Sequence, residues 1–173
     1  MKFRFLAILI LLLPMCVKAE WSFVNKVDDF TDEKVMFTSF SNDEHEIQLS
    51  YQDNAVWMFI SRKKIGTIEP DGLIELRVDK SDVRVIDPVK SKSLAKLLGR
   101  STFQWEPATV GFLLWHGDES EGCGYVGQLL AGEQLRIRYQ TSGLARTSFA
   151  VNLEDADKAI IGGLALTKCG NAT

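Results

Sequence analysis

The reactive residue types of this chain gather in one stretch, His116 to Gly124 (HGDESEGCG), which holds His116, Asp118, Glu119, Glu121 and Cys123. A metal site would take His116 together with the carboxylates. His45 is the only other histidine, however, and the acids do not follow the calcium-loop order of alternating acids before a glycine and a distant glutamate. Cysteine catalysis would need His116 to convert Cys123 to a thiolate, with a third group orienting the ring. The neighbouring carboxylates oppose that, because nearby negative charge raises a thiol pKa. A solvated, glycine-rich loop asks for none of this chemistry, and the incomplete constellation favours it. No G-x-S-x-G elbow, phosphate-cradling glycine loop or zinc spacing occurs, so no catalytic residue, metal ligand or cofactor is assigned. Carboxylates that meet only in space leave no spacing to read. A cell-envelope hydrolase acting through Asp or Glu therefore stands as the alternative function.

Two other groups could recognise a partner. Lys92, Lys96 and Arg100 lie in or beside a short helical pattern, with Lys90 close by. The plain reading is a solvated helix face, and the sharper one is a contact for an anionic surface. Together with His116, Asp118 and Glu119 these residues form the candidate binding surface. Trp21, Trp57, Trp105 and Trp115 could build a carbohydrate or peptide platform, but their place in apolar runs reads as core.

The N-terminus sets the compartment. Lys2 and Arg4 precede an apolar run from Phe5 to Met15, of signal-peptide length and short for a bilayer span. Val17-Lys18-Ala19 offers a cleavage site, so residues 1–19 read as a signal peptide and 20–173 as one exported, β-rich domain, periplasmic or secreted. Lipoprotein processing at Cys16 is disfavoured by Pro14 and Met15 just upstream. Removing Lys2, Arg4 and Lys18 leaves 17 of the 20 basic residues against 23 acidic ones, a net charge of −6. That excludes a general nucleic-acid binder, which needs a basic excess. It leaves a protein or cell-envelope partner, with no stable membrane insertion after cleavage. Cys123 and Cys169 survive processing and in an oxidising compartment would form a disulfide worth about 4 kcal/mol in the chain-entropy picture. Two separate thiols are the alternative.

The elements that must position these residues are mostly strands. Trp21 and Phe23 open one, and Val35 to Phe40 forms the next. Ile47, Leu49 and Tyr51 alternate with polar residues, then Asp53-Asn54 turns into Ala55 to Ile60, apolar on both faces and so central in a sheet. Ile65 to Ile68 re-enters the core before the turn Pro70-Asp71-Gly72. Ile74, Leu76 and Val78 alternate next, as do Val83 and Val85, until Asp87-Pro88 stops the sheet. Ser91 to Gly99 reads as a helix capped by Ser91, with Leu94, Leu97 and Leu98 on one side. Thr109 to Trp115 is another buried strand, and Tyr125 to Ala131 fits a strand or a short helix. Leu135, Ile137 and Tyr139, then Phe149, Val151 and Leu153, make a closing hairpin. A final helix capped by Asn152 carries Leu153, Ala156, Ile160 and Leu164 on one face. The expected fold is α+β and mostly β: an antiparallel β-sandwich or meander, a C-terminal helix packed on it, and a short helix near 91–99.

The order of motifs supports a resemblance. Trp21 and Thr31-Asp32-Glu33-Lys34 come first, then the hairpin Leu49 to Met58, then Arg77-Val78-Asp79. Leu129 to Arg138, Phe149 to Leu153, a helix and Cys169 close the chain. This order resembles the small periplasmic VasI-like proteins associated with type VI secretion, and more loosely the invasion-associated locus B type. Such proteins often carry a cysteine in the early hairpin, where this chain has Ser50-Tyr51. The resemblance implies a non-catalytic periplasmic accessory or binding role and carries over no catalytic residue. An exported effector or inhibitor is a further alternative.

Overall fold

Alternation of apolar and polar residues along most of the chain gives two antiparallel sheets, as a computed structural model shows for residues 20–32, 34–117, 123–143, 145–164 and 166. The signal-peptide segment, Asp118, Glu119, Glu121 and Cys169 lie outside these described residues. The strands are β1 (Trp21–Val27), β2 (Lys34–Ser41), β3 (His45–Gln52), β4 (Ala55–Arg62), β5 (Ile74–Val78), β6 (Arg84–Ile86), β7 (Phe103–Glu106), β8 (Thr109–His116), β9 (Gln134–Gln140) and β10 (Arg146–Asn152). Three helices intervene: α1 (Pro88–Leu98), α2 (Gly124–Ala131) and α3 (Ala156–Leu164). The large sheet runs β1-β2-β3-β4-β8-β7 and the small one β10-β9-β5-β6. The fold is α+β and mostly β, as the pattern predicts. Among the described residues no helix is long and apolar enough to cross a membrane.

One face of the large sheet supplies the core. Ile47 and Leu49 of β3 lie opposite Ile60 and Met58 of β4, which face Val110 and Phe112 of β8, and all six are buried. The small sheet covers part of this face with Ile74, Leu76, Leu135, Ile137 and Tyr139. Helix α3 packs against β1, β2 and β3 and covers the rest. It comes close because Gly163 has no side chain: a Cβ there would sit 2.8 Å from the Cβ of Phe23 and 3.0 Å from the carbonyl oxygen of Phe37. Burying each large core side chain contributes about 1.5–3 kcal/mol, so this shared face dominates stability.

Several local expectations give way to tertiary context. Helix α1 starts at Pro88, with Asp87 as its cap accepting from the amides of Val89 and Lys90, rather than at a Ser91 cap. Proline at the first helical position loses no needed donor, so Asp87-Pro88 starts a helix as well as stopping a strand. Leu94 and Leu97 of α1 are exposed. Ile65 is fully exposed, and only Ile68 of its segment is buried. In β6 the faces are reversed: Val83 and Val85 are exposed while Arg84 turns inward. Its guanidinium donates to the carbonyls of Leu114 and Leu113 at 2.8 and 3.2 Å and lies over the ring of Tyr125, which supplies the partners a partly buried cation requires. Tyr125 to Ala131 is helical within α2. Asn152 ends β10 and its side chain accepts from the amide of Glu154, so α3 begins only at Ala156.

The seam between the sheets contains a histidine, His45. Its ring stacks on Phe149 at 3.9 Å between centroids, and Nε2 lies 2.9 Å from the hydroxyl of Tyr139. Burial holds the His45 pKa below the ordinary histidine value, a shift that Glu44 opposes and that Arg62 and Lys64 reinforce. The unfolded chain therefore takes up a proton first as pH falls. The stability contributed by neutral His45 is complete above the unfolded pKa of about 6.5 and is lost progressively below it. Thermal melts between about pH 7.5 and 5 will show this decline. His45→Phe will flatten it, while lowering the neutral-pH plateau by about 1–3 kcal/mol because Tyr139 loses its partner. An equally steep decline in the variant would assign the effect to other groups.

Candidate functional site

Of the described residues expected to bind a partner, Arg100 and His116 engage each other and Lys92 engages a residue outside the set. Arg100, just beyond α1, places a terminal guanidinium nitrogen 2.8 Å from Nε2 of His116 at the end of β8. Lys92 pairs with Asp71 at 2.7 Å and lies 6.0 Å from the centre of the Phe103 ring. Lys90 sits 3.6 Å from Asp87. Lys96 is exposed in the last turn of α1. Arg100 and His116 thus meet, and Lys92 is tied to the turn at Pro70–Asp71. Cys123 is buried at the start of α2. Among the described residues no group of three or more His, Cys, Asp or Glu side chains could hold a metal ion.

A different face carries the stronger site. Along β9, Arg136 and Arg138 alternate with the buried Leu135, Ile137 and Tyr139, so both project from the outer face of the small sheet. The same alternation in β5 places Glu75 and Arg77 there. Pairing of β5 with β9 sets Arg77 opposite Arg136 and Glu75 opposite Arg138. On the other side, β10 offers small residues, Ala150 opposite Arg136 and Ser148 opposite Arg138. Large side chains over small ones leave an open trough of about 410 Å³, lined by Glu75, Arg77, Val83, Arg136, Arg138, Ser148 and Ala150 among others. Arg146 of β10 lies near Glu75 and Arg138 in the neighbouring depression.

Local contacts hold these guanidinium groups in position. Nε of Arg77 donates to the carbonyl of Ser81 at 3.0 Å, and Nε of Arg136 donates to Oε1 of Gln134 at 2.8 Å. Arg138 pairs with Glu75 at 2.9 Å. The register of β9 against β5 is held at its start by Asp79, whose carboxylate accepts from the amides of Glu133 and Gln134. Three arginines with one carboxylate leave the trough basic on a chain of net charge −3. Arginine presents a planar fork of donors that matches carboxylate or phosphate oxygens. The arrangement can therefore hold an anion, with Arg77 and Arg136 supplying the fork and Ser148 a hydroxyl.

The strand alternation places each of these arginines on a solvent face, but nothing in it says that they share one. Their juxtaposition depends on β9 pairing with β5, a partner remote in sequence. The aromatic residues also differ from expectation. Trp115 lies in the core, Trp105 is 37 % exposed, and Trp57 is half-buried on the outer face of the large sheet. Comparison with family models, with curated proteins and with solved structures finds no match to this chain.

Arg77 directly opposite Arg136 is a like-charge cross-strand pair, which opposes folding. Arg136→Gln should therefore raise stability by about 0.2–1 kcal/mol at low salt, seen as a higher urea midpoint with an unchanged slope. A clear loss of stability would mean that the two guanidinium groups are structural.

Proposed function

We propose that this chain is an exported, non-catalytic binding or accessory protein that acts in the cell envelope or with a secretion system, and captures an anionic partner at the arginine trough. The observation that carries this reading is the facing pair Arg77 and Arg136, beside Arg138 and over the small residues Ser148 and Ala150. Sheet energetics disfavours such a pair in the absence of a ligand. An acidic ligand removes that repulsion and gains charge-assisted hydrogen bonds. The partner class follows from the chemistry: a protein segment or envelope component that displays carboxylates or phosphates. The basic residues near α1 form a secondary surface at most, since Lys92 and Arg100 already have partners within the chain.

A labelled oligo-glutamate peptide provides the direct test. Fluorescence anisotropy should show saturable binding that weakens as salt rises, because exposed charges are screened. Replacing both Arg77 and Arg136 with Gln should weaken it by about tenfold or more, or roughly 1.4 kcal/mol, at a melting temperature no lower than that of the wild type. Equal binding by the double variant would remove the trough from the function. Replacing Lys92 and Lys96 with Glu should have a smaller effect.

The export reading makes its own demand. Protein recovered from the cell envelope should begin at Glu20, and its intact mass should show the Cys123–Cys169 bridge. Reduction should cost about 2–5 kcal/mol of stability. Free thiols at both cysteines, or a chain that retains residues 1–19, would overturn this part.

A further inference from the structure

The outer face of the six-stranded sheet forms two parallel rows that no described helix or strand covers. Strand register defines the first row as Val24, Phe37, Ser50, Trp57 and Leu113, each directly opposite the next. The adjacent row is Ser22, Ser39, Gln48, Phe59, Gly111 and Gln104. The first row is apolar except for Ser50, and the second is made of hydroxyls and amides around a single ring and Gly111. Neither contains a charge. Charged residues appear only in the rows that flank them, Lys26 on one side and Glu46 and Glu106 on the other.

The two central rings lie close together along β4. Phe59 lies across Gly111, where a Cβ would come within 2.4 Å of its ring, so only glycine on β8 allows the ring to rest on the sheet. Trp57 is nearly parallel to it, with an interplanar angle of 21° and ring centres 6.3 Å apart. Two nearly parallel, half-buried aromatic rings therefore lie side by side on the outer face beside Gln48. With strands about 4.7–4.9 Å apart, the row from Val24 to Leu113 runs for roughly 19 Å.

We infer that this face is a platform for a neutral glycan chain. A pyranose ring presents polarised C–H bonds on its faces and hydroxyl or amide groups around its edge. The electron-rich face of an aromatic ring attracts the former, while uncharged amides and hydroxyls such as Gln48, Gln104 and Ser39 match the latter. An aliphatic ligand would leave the polar row unused, and an anionic one would find no cation between the flanking rows. This site is separate from the arginine trough, which lies on the opposite sheet, so the two can be tested independently.

Chitohexaose, a neutral N-acetylated oligosaccharide, is the probe. Titration should give a saturable change in tryptophan emission, and the protein should be retained on chitin beads. Trp57→Ala should weaken binding by about tenfold or more, a size typical of an aromatic anchor. Gly111→Val should do the same by lifting Phe59 off the sheet, and Phe59→Ala replaces it if that variant melts early. Arg136→Gln should bind as the wild type does. The inference is overturned by no binding at millimolar chitohexaose, by binding that survives Trp57→Ala, or by loss of binding in Arg136→Gln. A dimer in sedimentation that Trp57→Glu dissociates would assign the face to a second copy of the chain and overturn it as well.

Discussion

Everything in this molecule depends on covering one apolar face of the large sheet. Ile47, Leu49, Val56, Met58, Ile60, Val110 and Phe112 all project to that side and are buried. No single element of the chain is wide enough to cover six strands. The small sheet covers the part formed by β3, β4 and β8, and α3 covers β1 and β2, with α2 touching both α3 and β8. Because helix and sheet share one layer, burial leaves the outer faces of both sheets outside the core. Those two faces are where recognition chemistry can be placed without disturbing packing.

Three polar groups drawn toward the core are satisfied in a specific way, whereas Nε1 of Trp115 is buried without a hydrogen-bond partner. Arg84 is directed at the carbonyls of β8 and at Tyr125, and Thr38 donates to the carbonyl of Ser22. His45 is placed between Phe149 and Tyr139, where its neutral form fits. A buried polar group with a partner limits how the layers can slide, since any shift strands it without one. His45 on β3, Tyr139 on β9 and Phe149 on β10 thus align the two sheets, and that alignment orients both outer faces.

The two faces differ in chemistry for a reason of position. On the small sheet, short side chains on β10 lie beside long charged ones on β9 and β5, which makes a basic trough. On the large sheet, a glycine in β8 lets an aromatic ring lie down, and the result is a flat, uncharged surface. Local choice of small residues shapes both surfaces. The charge of the neighbours then separates a basic surface from an uncharged one.

Much of the architecture was legible from residue order alone. Period-2 alternation marked β3, β5, β9 and β10, and the doubly apolar run Ala55 to Ile60 marked the central β4, because side-chain direction in a strand follows directly from position. The C-terminal helix was likewise evident from its apolar stripe. Short segments depart from pattern where a single contact outweighs it: Arg84 turns inward for two carbonyls, and Asp87-Pro88 starts a helix. The candidate sites were out of reach for a different reason. Arg77 and Arg136, or Trp57 and Leu113, lie far apart along the chain, and only strand pairing makes them neighbours. Alternation settles which face a side chain occupies. Tertiary register settles which side chains share that face, since pairing energy comes from the whole ladder and not from any one residue.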